Sequence, residues 1–161
     1  MEIRIRATGE VMLEDQFRRY QKDNGGPSWD RTTDEVLEAL GADVVFEGAQ
    51  ATGGTVYQYS MRSGVEQING KWYTKYILGP VFANTEDATA AEQEAAYKAQ
   101  KDAEFAANAR SQRDTLLTQT DWTQVADAPV DKAAWAAYRQ ALRDVPQQIG
   151  FPTTITWPVK P

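Results

Sequence analysis

The feature that most constrains this chain is a long segment, residues 84–119, that contains neither glycine nor proline. Alanine, glutamate, glutamine, lysine and aspartate dominate it, and most of these residue types favour helix. Since glycine and proline are the usual helix breakers, nothing in the segment interrupts a helical pattern. We therefore predict one long connecting helix, assigned to residues 83–119, between a first region at 1–82 and a last region at 120–161.

Small residues recur along one face of the predicted helix and form a band that we call the helix seam. Charged residues cluster on the opposite face at 100° per residue. Alanine buries little area but allows close backbone approach. Two interpretations remain open: a solvated spacer helix, or a thin coiled coil that makes the chain a homo-oligomer. The seam residues are Ala91, Ala95, Ala99, Ala103 and Ala106.

Residues 1–82 combine strand and helix patterns. Ile3 and Ile5 alternate with charged residues, which is the pattern of a half-buried strand. Two short helices follow, and Thr32 and Glu35 fit a capping box at the start of the second. This region is therefore predicted to be a small mixed α/β module.

The rest of this region is predicted to form a small antiparallel sheet that carries one or two helices. Asn69-Gly70 indicates a type I′ hairpin, because both central residues of that turn need a positive φ. Trp72 and Tyr76 share one face of the last strand, and we predict that they bind a partner. The predicted strands, rich in β-branched and aromatic residues, lie at residues 44–46, 56–59 and 71–78.

Residues 120–161 are predicted to form a helical hairpin followed by an extended, proline-rich tail. Asp131 is a plausible N-cap for a helix over residues 131–144, and Pro146 ends that helix. Aromatic and aliphatic side chains on this helix share one stripe, which can meet the end of the long helix. The predicted hairpin core is Leu116, Leu117, Trp122, Trp135, Tyr138 and Leu142.

The remaining aromatic residues are candidates for partner binding. A hairpin of this size can hardly bury all of its rings, so some are expected to face another protein. Phe151 and Trp157 stand beside prolines on the extended tail, where they could lie in a groove or add to a sheet edge. The alternative is that all of these rings belong to the hairpin core.

Composition excludes several classes of function. The chain has no cysteine, no histidine and a net charge of -6. The negative charge argues against nucleic acid or an anionic membrane as a partner, and the missing residue types remove thiolate chemistry and the commonest general base and metal ligand. No apolar run approaches the roughly 18 residues of a membrane span. We expect no cofactor, no metal and no enzymatic activity.

The last third of the chain carries an ordered motif. It reads Arg-x-x-Leu-Leu-x-x-Thr-Asp-Trp from Arg113, Trp-x-x-Tyr-Arg-Gln-x-Leu-Arg-Asp from Trp135, and a closing Phe-Pro and Trp-Pro. This pattern resembles the C-terminal region of phage tail assembly chaperone (tail fibre assembly) proteins. The N-terminal module, at residues 41–48 and 64–76, is similar to modules of small tail-associated proteins of marine and freshwater phages. Within the hairpin, Arg113, Asp121 and Arg143 are expected to make charge-assisted hydrogen bonds.

The resemblance implies help in folding or trimerising a tail fibre, or attachment to it, after synthesis in a host cytoplasm. Two hypotheses follow: a structural protein that stays bound to tail fibre or baseplate proteins in the virion, and a transient chaperone of the fibre. We favour the first, because the N-terminal module and the long helix provide two ends for different partners. The third alternative is an enzyme such as a wall or glycan hydrolase.

Overall fold

The computed structural model describes all residues, 1–161, and contains both a sheet and helices, which confirms the predicted α+β class. The chain divides into two compact units, Met1–Val81 and Phe82–Pro161. The first contains β1 (Glu2–Ile5), β2 (Val11–Leu13), α1 (Glu14–Asp23), α2 (Asp34–Ala39), β3 (Ala42–Phe46), β4 (Tyr59–Ile68) and β5 (Lys71–Gly79). The second contains α3 (Ala90–Gln119), a 3₁₀ turn (Asp121–Gln124), α4 (Lys132–Asp144) and a second 3₁₀ turn (Val145–Gln147).

The sheet is mixed, with strand order β2-β1-β3-β5-β4. Neighbouring strands are antiparallel except β3 and β5, which are parallel. The prediction of an antiparallel sheet is therefore wrong at this pair. The reason is that residues 47–58 carry the chain past β5 to the outer edge before β4 begins. A parallel pair needs a connection of a dozen or more residues, and the stretch between β3 and β5 supplies it.

The turn between β4 and β5 confirms the hairpin prediction. Asn69 and Gly70 have φ values of 50° and 79°, and they join two antiparallel strands. The preceding strand prediction at residues 56–59 is wrong except at its last residue. There the backbone N–H of Gln58 donates to the Thr55 carbonyl, so the chain turns locally before β4 starts.

The two faces of the sheet are covered differently. On the helix face, Ile3 and Ala42 pack with Phe17 of α1 and Leu37 of α2 to form the core of this unit. The opposite face, which we call the crossover face, lies under residues 47–58. Gly48 passes so close to the Thr74 backbone carbonyl that any side chain at this position would collide with it.

A network of partly buried side-chain hydrogen bonds joins α1 to the loop before α2. The Arg18 guanidinium donates to Glu14 Oε1 and to Thr32 Oγ1, each at 3.0 Å. The Thr32 hydroxyl donates to Glu14, and together with Arg18 it lowers the pKa of that carboxyl. Because Thr32 is used in this way, the cap of α2 is Thr33, which accepts from Val36 N, and the predicted capping box at Thr32 and Glu35 is wrong.

The helices of the second unit begin where side chains cap them. Glu92 N donates to Thr89 Oγ1 and Thr89 N to Glu92 Oε2, so α3 starts at Ala90, later than the predicted start. Asp131 accepts from Ala134 N at 3.1 Å and begins α4 as predicted. Both caps satisfy backbone donors that have no partner inside the helix.

Candidate partner-binding surface

The predicted hairpin core forms between α3 and α4, with one exception described below. Trp135, Tyr138 and Leu142 are buried, and Leu116 and Leu117 pack against them. The rings of Trp135 and Tyr138 meet edge to face, with centroids 5.8 Å apart and an interplanar angle of 90°. This geometry is favourable for aromatic pairs, so the α4 stripe is the packed centre of the unit.

A buried arginine ties the end of α3 to α4. Arg139 is only 7% exposed, and its Nη1 donates to the Leu117 carbonyl at 2.6 Å and to Thr120 Oγ1 at 2.7 Å. Its Nη2 donates to Asp121 Oδ1 at 2.7 Å. The last carbonyls of a helix lack internal partners and carry partial negative charge, so a cation here is doubly favourable. We call these contacts the Arg139 network.

Trp122 is the exception in the predicted core, because it is 52% exposed. Its ring rests on Trp135 at a centroid distance of 6.1 Å, yet its outer surface faces solvent. The inward positions of this turn belong instead to Thr120 and Thr123, which are buried and joined by a hydrogen bond from Thr123 Oγ1 to the Thr120 carbonyl at 2.7 Å. The core expectation for Trp122 is therefore corrected: its ring is a half-exposed cover over the core.

The predicted tail residues have partners inside the chain. Trp157 is half-buried against the hairpin core, and the segment before it is pinned by two hydrogen bonds of 2.8 Å between the Gln148 side chain and the Thr156 backbone. Phe151 is also half-buried, with the Arg110 guanidinium 5.4 Å from its ring centroid. Both placements differ from the expectation of free side chains on an extended tail, because the tail folds back onto the helices.

One end of the helix seam is buried and the other end is exposed to solvent. Ala106 lies in the buried part of α3, together with Ala109 one turn later. The N-terminal members of the seam are exposed: Ala91, Ala95, Ala99 and Ala103.

The two partner-binding candidates on the sheet lie on the crossover face and are engaged there. The Arg4 guanidinium carbon lies 3.9 Å from the Trp72 ring centroid. The Tyr76 hydroxyl donates to Glu47 Oε1 at 2.6 Å, and this bond raises the pKa of the phenol. Neither ring is a free surface, so the exposed aromatic surface of this unit must be sought on the helix face.

Of the three residues expected to make charge-assisted bonds in the hairpin, one does so across it. Asp121 accepts from Arg139, whereas Arg113 pairs with its neighbour Asp114 at 2.7 Å and Arg143 is exposed. Sequence reasoning missed Arg139. The signal was its position four residues after Trp135, inside the apolar stripe of α4, where a long side chain must be buried.

The structure contains no group of three or more histidine, cysteine, aspartate or glutamate side chains that could hold a metal ion. No helix combines the length and the apolarity that a membrane span needs.

The C-terminal residues match a known family. Residues 106–161 match the model of the phage tail assembly chaperone protein family, which confirms the resemblance stated for the C-terminal region. The matched residues comprise the second half of α3, both 3₁₀ turns, α4 and the tail, and so include the Arg139 network and Trp122. No curated protein and no solved structure matches the chain.

Proposed function

We propose that this chain is a structural protein of a phage tail or tail fibre, which binds and bridges fibre or baseplate proteins and stays in the virion after assembly in the host cytoplasm. The family match of residues 106–161 supports a role in phage tail assembly. The N-terminal unit supports bridging, because it is a second compact unit that lies outside the matched residues. A chain with two such units can bind two partners.

The observation that carries the proposal is the exposed indole of Trp122. Tryptophan is among the residue types most enriched at binding hot spots. Its ring packs on Trp135, and the turn that bears it is held by the buried hydrogen bonds from Arg139 to Thr120 and from Thr123 to the Thr120 carbonyl. A side chain already held in place loses little conformational freedom on binding, so this indole is prepared to enter a pocket on a partner protein.

We further propose that the exposed part of the helix seam packs against α3 of a second copy. Its small side chains allow close approach of two helix backbones. The charged residues on the opposite face stay in water, where pairs such as Glu94 with Lys98, at 2.6 Å, keep the helix soluble.

The second candidate function is a transient chaperone that masks the fibre during folding and trimerisation and then leaves. The description of the matched family favours this alternative. It uses the same Trp122 surface, and the two functions differ in what happens once the fibre is mature. A structural protein stays bound to the assembled trimer, whereas a transient chaperone is released.

Neither function involves catalysis, and we propose that the chain is not an enzyme. Two carboxylates of the hairpin already have structural roles, because Asp131 caps α4 and Asp121 pairs with Arg139. We expect the purified protein not to hydrolyse glycans, peptides or phosphoesters. Turnover that survives purification and is abolished by one carboxylate substitution would overturn this part of the proposal.

The test is co-purification with the tail fibre protein of the same phage, with Trp122→Ala as the perturbation. Loss of a hot-spot tryptophan costs about 2 kcal/mol or more, which corresponds to a roughly 30-fold weaker complex. Ile149→Ala is the matched control, since Ile149 is an exposed apolar residue of the same unit that makes no packing contribution to the core.

We expect Trp122→Ala to lose the fibre and Ile149→Ala to retain it. Trp122→Ala should melt at a modestly lower temperature, because it loses the ring contact with Trp135, and should stay folded at the assay temperature, whereas Ile149→Ala should melt like the wild type. Equal binding by the wild type and Trp122→Ala would reject Trp122 as the binding surface. Binding of the wild type to the unfolded fibre chain but not to mature trimers would select the transient chaperone.

A further inference from the structure

The helix face of the sheet is covered on only one half. The packed core under α1 and α2 reaches across the sheet as far as Val44 on β3. Beyond it, Phe46, Tyr59 and Ile68 are 43%, 55% and 48% exposed. We call this uncovered part the open half-face, formed by Phe46, Tyr59, Met61, Ile68, Tyr73 and Ile77. Contiguous exposed apolar patches on soluble proteins usually mark an interaction site.

Strand register shows that these side chains form one continuous surface. Phe46 is paired with Tyr73 across β3 and β5, and Met61 with Ile77 across β4 and β5. Directly paired residues point to the same face of a sheet. The rings of Phe46 and Tyr73 are in contact, with centroids 5.7 Å apart. The open half-face therefore continues the surface on which α1 and α2 already pack.

The charges on this surface are close to balanced, unlike those of the whole chain. Lys75 and Glu66 stand 4.0 Å apart, at the limit of an ion pair, and their side chains are 46% and 45% exposed. Lys71 lies over the Phe46 ring at 5.6 Å. Two copies of a chain with net charge -6 repel each other in general. The open half-face carries two lysines and one glutamate, so two copies that meet through it do not bring negative patches together.

We propose that the open half-face binds the same face of a second copy in a two-fold symmetric dimer, with Lys75 of each copy facing Glu66 of the other. A two-fold interface brings the same patch of both copies together, so a patch on which a cation, Lys75, stands beside a carboxylate, Glu66, is complementary to itself at these positions. This surface is distinct from the helix seam and from Trp122.

The free edge of the sheet is a less suitable contact for a second copy than the face. Of the two edge strands, β2 has only three residues, and the pairing of β4 with β5 shifts register between Arg62 and Val65. Irregularities and charged side chains on edge strands oppose pairing with another chain. The association we propose is therefore a face-to-face packing of two sheets.

The first experiment measures molar mass by light scattering over a range of protein concentrations. The full chain is used with Ala95→Glu and Ala99→Glu, two exposed seam positions, so that association through α3 is removed. We expect a monomer–dimer equilibrium, and Ile68→Asp should weaken it at least tenfold. Val56→Asp is the matched control, because Val56 is an exposed valine of the same unit outside the open half-face, and it should leave the dimer intact.

The second experiment tests the two-fold pairing by mixing variants. Lys75→Glu places two glutamates opposite each other in every dimer, and Glu66→Lys places two lysines opposite each other, so each variant alone should dimerise about tenfold more weakly. Mixed in equal amounts, the two variants restore opposite charges at both contacts and should form a heterodimer. The intrachain pair cannot cause this, since each variant carries like charges within its own chain.

Three results would overturn the proposal. The first is a monomer at all concentrations in the seam background. The second is a dimer that Ile68→Asp leaves unchanged. The third is a mixture of Lys75→Glu and Glu66→Lys that dimerises no better than either variant alone.

Discussion

Replacing Arg139 with alanine should destabilise the C-terminal unit far more than removing the charge of Asp121, its only ionic partner in the network. The two hydrogen bonds to Leu117 and Thr120 lie in a buried or partly buried region. Hydrogen bonds with a charged donor contribute about 1.5–3 kcal/mol each. Taking the lower value for each, because burial of the guanidinium opposes them, loss of both costs about 3 kcal/mol.

The contact with Asp121 is worth much less, despite its length of 2.7 Å. The Asp121 side chain is 64% exposed, so water screens its charge. Exposed ion pairs contribute about 0–1 kcal/mol. Asp121→Asn should therefore cost less than about 1 kcal/mol, and the double variant with Arg139→Ala should cost little more than Arg139→Ala alone.

The assay is urea unfolding followed by far-ultraviolet circular dichroism, which reports mainly on α3 and α4. Arg143→Ala is the control, because Arg143 lies one turn later on α4 and is exposed. This change should alter stability by no more than about 0.5 kcal/mol. If Asp121→Asn costs as much as Arg139→Ala, the energy resides in the ion pair and the reasoning is refuted. If Arg139→Ala costs no more than Arg143→Ala, the network does not stabilise the hairpin.

Two further outcomes are expected. Hydrogen bonds from Thr32 and Arg18 lower the pKa of Glu14 in the folded chain, so the stability they contribute is present above the ordinary glutamate pKa and is lost as the pH falls through the folded pKa. Acid unfolding of the wild type should therefore show a stability loss in this pH range that Glu14→Gln lacks. Identical pH profiles for the two proteins would contradict this prediction. Purified protein should show no turnover of glycan, peptide or phosphoester substrates above that of a mock purification, and consistent turnover would contradict the proposal that it is not an enzyme.

Local signals were sufficient to predict several elements. Asn69-Gly70 predicted its turn because two consecutive positive φ values are costly for most residues and tolerated by these two. Asp131 predicted the start of α4 because its carboxylate can accept from the first free backbone amides. In both cases the determining contacts lie within four residues of one another in sequence.

The errors concern contacts that are distant in sequence. The parallel pairing of β3 and β5 depends on which strand the crossover leaves next to β3, and hairpin signals say nothing about that. Thr32 has the sequence pattern of a cap, but its hydroxyl is hydrogen-bonded to Arg18 and Glu14 of α1 and does not cap α2. A local pattern can list the residues able to cap a helix or the strands able to pair. It does not show which of them is already bonded to a residue far away in the sequence.

The sequence predicted which helix carries the core of this unit, but not which aromatic ring stays exposed beside it. Spacing along α4 identified Trp135 as core, since the positions of one helix fix which side chains share a face. Helical spacing does not apply to Trp122 and Trp157, which lie outside regular helix, so the core prediction for Trp122 and the extended-tail prediction for Trp157 had no such basis. Their burial depends on how the 3₁₀ turn and the tail fold against α4, and this leaves Trp122 half-exposed and Trp157 against the core.

The central claim is that the protein remains in the finished particle. Quantitative mass spectrometry of purified virions tests it most directly, because it compares peptides of this chain with those of the tail fibre in the same sample. We predict peptides of this chain in a fixed ratio to the fibre, unchanged by further rounds of particle purification. Peptides that are abundant in infected-cell lysates but absent from purified particles would contradict the claim and identify a transient chaperone.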